Sequence, residues 1–472
     1  MIFLYNFGIF LYKIGIYIAS IFNTKARQWV EGRKDIFTKI EQAITHYPSP
    51  ITHDSSPITH HPLPIAHDSS PITIWMHVAS LGEFEQGRPL IEVLKKKAAP
   101  HLSLREYKII LTFFSPSGFE IRKDYPLADH VFYLPMDSKK NAQRFLDLIQ
   151  PDLAIFVKYE FWFHYLNELK KRKIQTILIS AIFNKKQFFV LNLYALILKK
   201  MLRCFTHIFV QNAPSVYELK KQGLEQVTYA GDTRIDRVMS IAAEAKSFPL
   251  IEQFVGSSPT LVCGSTWQPD EEIILQLLQN QSFTHYKFIF APHDISIKNI
   301  DRLEKMLPES SLRYSKCNPT SPLNPPKGDF LHPFHFDPSA KSLPLGDSGG
   351  LDCLDCRILI IDNIGMLSSI YRYGKVAYIG GGFGKGIHNT LEPIAFGLPV
   401  IFGIKYKKFE EANQLIATGG AFSISNFKDF EDKMLFLNDK KNYLDASNAA
   451  LKYLENNQGA TNKIVRFINV NT

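Results

Sequence analysis

Two periodicities alternate along most of the chain. Short apolar runs occupy 72–78 (Ile-Thr-Ile-Trp-Met-His-Val), 108–113, 131–134, 153–157, 176–180 and 207–211. Between them, apolar residues recur every three to four positions, as at 138–149, 162–172 and 215–222. The first kind predicts strands and the second amphipathic helices. The strand runs are apolar almost throughout, which fits strands covered on both faces, so the alternation predicts βαβ units around a parallel sheet. A second series begins near Thr260, with strands at 260–263, 287–290, 358–361, 376–379 and 399–402, and helices at 270–278, 296–306, 389–396 and 409–418. The pattern predicts an α/β protein of two Rossmann-like halves joined around 240–258. They are expected to face each other across a cleft, since open α/β sheets bind ligands at the carboxyl ends of their strands. Helical text at 442–456 is expected to pack back across the first half.

Three stretches depart from this texture. Residues 1–24 are nearly all apolar or aromatic and are followed by Lys25, Arg27, Arg33 and Lys34. About 20 apolar residues suffice to span a bilayer, although Lys13 would cost ~2.5–3.5 kcal/mol there. The segment reads as an uncleaved anchor or a helix lying in the membrane interface, the alternative being a buried first helix. The expected domains are therefore 1–24, 25–240 and 241–472. Residues 48–73 repeat a Pro/Ser/His text containing His53, His60, His61 and His67, and 317–356 is rich in Pro, Ser, Gly and Asp and ends on Cys353-x-x-Cys356. Neither has a structural period, and both read as inserted surface loops rather than metal sites.

Charge and cysteines narrow the classes. The 472 residues carry a net charge of +9, which suits an anionic membrane or substrate. Lys and Arg are scattered and no recognition motif for nucleic acid is present, so that class is set aside. Five cysteines, sparse and odd in number, suit a reducing compartment. No G-x-G-x-x-G follows the first strand and no P-loop occurs, which argues against a dehydrogenase or a P-loop NTPase. No D-x-D pair stands in a suitable loop, so neither a catalytic metal nor a cofactor is expected.

Candidate chemistry lies at strand ends. After the first strand, Ser80-Leu81-Gly82-Glu83 turns into a helix, placing Glu83 either as a helix-start charge or as a general base. After the fourth, Glu160 stands in Lys158-Tyr159-Glu160-Phe161-Trp162, as a surface partner of Lys158 or as a ligand-binding group. The densest signal is Gly380-Gly381-Gly382-Phe383-Gly384-Lys385-Gly386-Ile387-His388-Asn389-Thr390-Leu391-Glu392-Pro393. Five glycines in seven residues, opening a helix, fit phosphate binding. There Asn389 or Thr390 caps the helix, and Glu392 is placed to hold a ribose diol. Ser265-Thr266 and Pro292-His293 follow strands at the same edge and offer further donors.

These motifs, in this order, resemble the bacterial 3-deoxy-D-manno-octulosonic acid (Kdo) transferases. Ser80–Glu83 is similar to that family's S-[VL]-G-E, whose Glu is its proposed catalytic base. Residues 112–118, with Ser117 and Gly118, resemble its T-x-x-[ST]-P-[ST]-G loop, and Glu160-Phe161-Trp162 its acidic aromatic loop. Gly231–Asp236, Ser265-Thr266 with Asp270–Glu272, and Gly380–Pro393 match in turn, as does Asn23–Arg27 with Gly32-Arg33. The resemblance covers the chain outside the two insertions. It implies a GT-B fold and inverting transfer of Kdo from CMP-Kdo to a lipid A precursor at the cytoplasmic face of the inner membrane. It assigns substrate binding to Ser80, Gly82, Ser117, Gly118 and Glu160. It assigns the donor nucleotide to Ser265, Thr266, Pro292, His293, Gly365, Met366, Gly381, Gly382, His388, Asn389, Thr390 and Glu392. Three positions depart from the family pattern: Ala291 stands where an Arg is expected, Met366 where a Glu is expected, and Ile387 replaces a Gly. Lys385, Lys407 or Lys408 is expected to supply the missing positive charge. Rival readings are a GT-B enzyme using a UDP-sugar and a membrane-bound nucleotide-binding protein without catalysis.

Overall fold

The computed structural model describes residues 2–45, 71–95, 106–185, 192–308, 311–317 and 356–471. The four histidines of the repeat and Cys353 lie outside these residues. Contacts divide the chain into two compact units, Met1–Asp236 with Gly459–Thr472, and Arg237–Gln458.

The first unit is built on seven parallel strands: β1 (Ile72–Val78), β2 (Tyr107–Phe113), β3 (His130–Tyr133), β4 (Leu153–Val157), β5 (Gln175–Ala181), β6 (His207–Val210) and β7 (Val227–Tyr229). Their order is β3-β2-β1-β4-β5-β6-β7, so the direction of strand addition reverses between β1 and β4. Along β1 the side chains alternate between two cores. Trp75 packs with Phe145, Phe156 and Tyr165 on one face. Ile74, Met76 and Val78 join Phe84, Ile464 and Ile468 on the other. Burying each such side chain is worth ~1.5–3 kcal/mol, and this two-sided burial is why the strand reads as a continuous apolar run.

The second unit repeats the plan with β8 (Thr260–Thr266), β9 (Lys287–Pro292), β10 (Ser311–Arg313), β11 (Ile358–Ile360), β12 (Val376–Ile379), β13 (Val400–Gly403) and β14 (Ala421–Ile424). All pairs are parallel, in the order β10-β11-β9-β8-β12-β13-β14, with the reversal between β8 and β12. Two seven-stranded Rossmann-like sheets and an apolar N-terminal helix, Ile2–Ala19, define a GT-B architecture.

Several expectations need correcting. The strands missing from the sequence reading, β7, β10 and β14, are edge strands of three or four residues. One side of an edge strand is open, so its apolar signal is weak. The segment that rejoins the first unit is Ala460–Asn471, through Ala460, Ile464 and Ile468 spaced four apart, whereas Lys440–Asn457 stays with the second unit. Asp236 fastens that return by accepting the N–H groups of Gly459 (2.5 Å) and Thr461 (2.7 Å). The helix expected at 389–396 is a single turn, Leu391–Ile394, because Gly397 at φ +72° redirects the chain into β13.

Candidate active site

In each unit the candidate residues cluster where the strand order reverses, the position at which open α/β sheets bind ligands. In the first unit these are the loops after β1 and β4. The β1 loop makes one half of a capping box: Ser80 accepts the Phe84 N–H through its carbonyl (3.0 Å), and Glu83 Oε2 accepts the Ser80 N–H (2.8 Å) and its hydroxyl. Glu83 is thus a helix-start group. The cap occupies only Oε2, and Oε1 has no hydrogen-bond partner among the described residues. The loop after β2 lies directly against this turn. Ser115 N–H donates to Ala79 O at 2.7 Å, and a Cβ on Gly118 would come 3.0 Å from the Ser80 carbonyl carbon, so glycine permits that approach. Ser117 is held to Ser115, hydroxyl to hydroxyl, at 2.9 Å. Gly82 is exposed beside them.

Glu160 is not paired with Lys158, as one reading of the sequence held. Its Oε2 lies 3.0 Å from His77 Nε2 and accepts the Trp162 indole N–H at 2.9 Å. His77 is fully buried in β1, with Nδ1 2.8 Å from Thr112 Oγ1. The Trp162 ring packs on Phe114 at 4.6 Å. Lys158 sits at φ +62°, a left-handed conformation unusual for a side-chain-bearing residue and one that clusters at functional sites. His77 was missed in the sequence; its only signal is a polar residue inside an apolar strand.

In the second unit the loops after β8 and β12 interlock. Asp270 is almost fully buried, and it accepts the Trp267 N–H (3.0 Å), the Gly381 N–H (2.9 Å) and the Tyr378 hydroxyl (3.0 Å). Burial raises its pKa, and the hydrogen bonds from Gly381, Trp267 and Tyr378 oppose that rise. Gly381 stands at φ +90°, and a Cβ there would collide with the Gly386 carbonyl. His388, Trp267 and His293 stack: His293 to His388 at 4.4 Å, Trp267 to His293 at 4.6 Å, with the Trp267 indole N–H donating to His388 Nε2 at 3.0 Å. Burial and the neighbouring His293 lower the His388 pKa to about 4. Asn389 donates to Glu392 (2.9 Å) and accepts the Leu391 N–H (3.1 Å).

Several donors that the sequence offers to a ligand are engaged inside the unit. The Thr266 hydroxyl donates to Glu271 at 3.1 Å; the Thr390 hydroxyl, by contrast, is fully buried with no partner among the described residues. Gly382 packs on Gly403. Ser265 carries φ +54°. Pro292 ends β9, and His293 N–H donates to Thr266 O at 3.0 Å. Gly365 and Met366 follow β11, two strands from β8, and share no hydrogen bond with this group among the described residues. Of the expected cations, Lys408 Nζ reaches the loop, at the Lys385 carbonyl (3.1 Å). Lys405, not foreseen, reaches the Gly384 carbonyl (2.7 Å). Lys385 is exposed, and Lys407 meets Asn413 through its carbonyl.

Two Rossmann-like units with polar loops at both sheet reversals define a protein of the GT-B fold class. The fold is that of UDP-GlcNAc 2-epimerase from Neisseria meningitidis, solved bound to UDP-GlcNAc, at a TM-score of 0.54 and 13% identity over 85% of this chain and 100% of that one. Residues 44–237 match the family described as 3-deoxy-D-manno-octulosonic-acid transferase. The 3-deoxy-D-manno-octulosonic acid transferase of Aquifex aeolicus is 26% identical over 76% of this chain and 84% of its own length. That of Rickettsia prowazekii is 27% identical over 82% and 77%. Residues 44–237 thus carry a match to the Kdo transferase family, and the chain is similar to enzymes of that name over 76–82% of its length.

Proposed function

We propose that this enzyme transfers Kdo from CMP-Kdo, with inversion, to a hydroxyl of a lipid A precursor in lipopolysaccharide core biosynthesis. The observation that carries this reading is the state of Glu83. One carboxylate oxygen is fixed by the Ser80 cap while the other is open, at the carboxyl edge of the sheet reversal. A carboxylate held that way is positioned without being neutralised. Oε1 takes the proton from the acceptor hydroxyl as its oxygen bonds to the anomeric carbon of Kdo, and CMP departs with the electron pair of the broken bond. General-base help of this kind contributes ~10²–10⁴-fold. The glycine-rich loop, exposed at Gly384 and Lys385, receives the CMP phosphate, with Lys405 and Lys408 lending positive charge where the family's Arg is replaced by Ala291. His293 and His388 lie beside that loop, and Glu392, oriented by Asn389, holds the ribose. Neither metal nor cofactor enters this scheme.

The N-terminal helix supports a membrane-bound acceptor. Ile2–Ala19 has a mean hydropathy of 1.6 and none of it is buried. Phe3, Phe7, Phe10, Ile14 and Ile18 are exposed. The less exposed positions Tyr5, Ile9 and Ile16 form one stripe, and Tyr5 donates to Asp137 at 2.5 Å. A helix fastened along one side and apolar on the other suits lying in the interface of the cytoplasmic leaflet. Competition of CMP and UDP against CMP-Kdo turnover tests the donor. CMP is expected to inhibit at far lower concentration, and the reverse order favours the UDP-sugar reading.

A further inference from the structure

On the loop that packs against the Glu83 turn the first unit holds a cation with no carboxylate partner among the described residues. Arg33 follows the helix Thr24–Gly32 and donates to three carbonyls: Nε to Leu134 (3.0 Å), and its terminal nitrogens to Phe114 (2.8 Å) and Trp29 (3.3 Å). Its guanidinium carbon lies 3.9 Å from the Trp29 ring centre, 4.8 Å from Phe114 and 4.9 Å from Tyr133. Three of five guanidinium N–H groups are engaged by these bonds, leaving a two-donor remainder. Burial lowers its pKa to about 9, so it is charged at neutral pH; the ionisable groups acting on it are the tyrosines Tyr133, Tyr12 and Tyr165. A largely buried charge without a counter-ion among the described residues is costly.

The surroundings suit a sugar ring. Phe114 packs against Trp162 at 4.6 Å and stacks with Tyr12 of the apolar helix at 6.0 Å. The buried Trp29 indole N–H has no partner. The loop bearing Phe114 runs on to Ser115, which bonds to Ala79 next to Ser80. One loop thus links the cation, the aromatic platform, the apolar helix and the turn of the general base.

We propose that Arg33, walled by Trp29, Phe114 and Tyr133, is an anion subsite that takes a phosphate of the glycolipid acceptor while the sugar bearing it lies on the Phe114–Trp162 platform. The inference rests on the reading above that the acceptor is a lipid A precursor, and adds that the acceptor sugar carries a phosphate. The planar fork of an arginine matches phosphate oxygens in a way a lysine does not.

The test compares Arg33→Gln and Arg33→Lys in the full-length detergent-solubilised enzyme, with a lipid A precursor and with the same lipid after phosphatase treatment. Acceptor KM and equilibrium acceptor binding are both measured. For Arg33→Gln, acceptor KM and Kd rise at least ~10-fold for the phosphorylated lipid and stay near wild type for the dephosphorylated one, with the KM for CMP-Kdo unchanged. Arg33→Lys falls between and serves alone if the Gln variant does not fold. An equal penalty on both lipids, or none on either, overturns the subsite and marks Arg33 as a packing clamp. The binding arm needs no turnover, so phosphate-dependent binding without transfer keeps the subsite and rejects the proposed reaction.

Discussion

The two sheet reversals of this molecule are built from the same plan but use their polar groups differently. In the second unit the groups near the glycine-rich loop turn inward: Asp270 takes three donors, Thr266 takes Glu271, and Asn389 takes Glu392. What remains for a ligand is the exposed stretch at Gly384 and Lys385, two lysines and the exposed edge of a ring stack. In the first unit the reactive side chains are left partly open, with one oxygen of Glu83 free and Arg33 without an anion. On the proposed reading, binding falls to the glycine-rich loop of the second unit and chemistry to side chains of the first. Such a division suits an enzyme whose donor contributes a phosphate handle and whose acceptor must lose a proton.

The sharpest way to break this comparison is Glu83→Gln. The amide still accepts the Ser80 cap, so stability should stay near wild type while turnover falls ~10²–10⁴-fold. CMP affinity, measured by titration calorimetry, should not move. The next largest effect is expected from Asp270→Ala, which strands three buried donors. It should destabilise the second unit by ~2–4 kcal/mol in urea unfolding and weaken CMP binding without altering acceptor binding. Unchanged CMP affinity would show that the Gly381 loop does not need its buried staple.

A smaller change sharpens the acceptor side. Trp162→Phe keeps a ring on Phe114 but removes the indole N–H near Glu160 and His77. A loss of ~1 kcal/mol is expected, read as a several-fold rise in acceptor KM with the CMP-Kdo KM unchanged. The smallest effect is pH-dependent. His388 has its pKa lowered from 6.5 to about 4 in the folded state. As pH falls through this window the unfolded chain takes up the proton first, so stability of the second unit declines below about 6.5 and is level above it. Thermal midpoints across the window should show that slope, and His388→Asn should flatten it.

How much of this could be read from the sequence depended on whether the determinants were local. Interior strands such as β4 and β12 were legible to the residue because both faces are apolar. Edge strands β7, β10 and β14 were not, since half their surroundings are solvent. The glycine-rich loop was visible because its residues are contiguous. The engagement of the Thr266 hydroxyl and the Gly381 N–H was not, because their partners Glu271 and Asp270 act through a buried network. Arg33, His77 and Lys405 were invisible as site residues for a related reason. Their neighbours Phe114, Glu160 and Gly384 come from other loops, and no spacing rule along the chain connects them.

The central claim is that a carboxylate fixed by Ser80 drives transfer of Kdo from a CMP donor. Mass spectrometry of the lipid product, with purified enzyme, CMP-Kdo and a lipid A precursor, tests it most directly. The account predicts an acceptor heavier by whole Kdo units, stoichiometric release of CMP, and loss of both with Glu83→Gln. An unmodified acceptor, or full product from the Glu83→Gln enzyme, would contradict it.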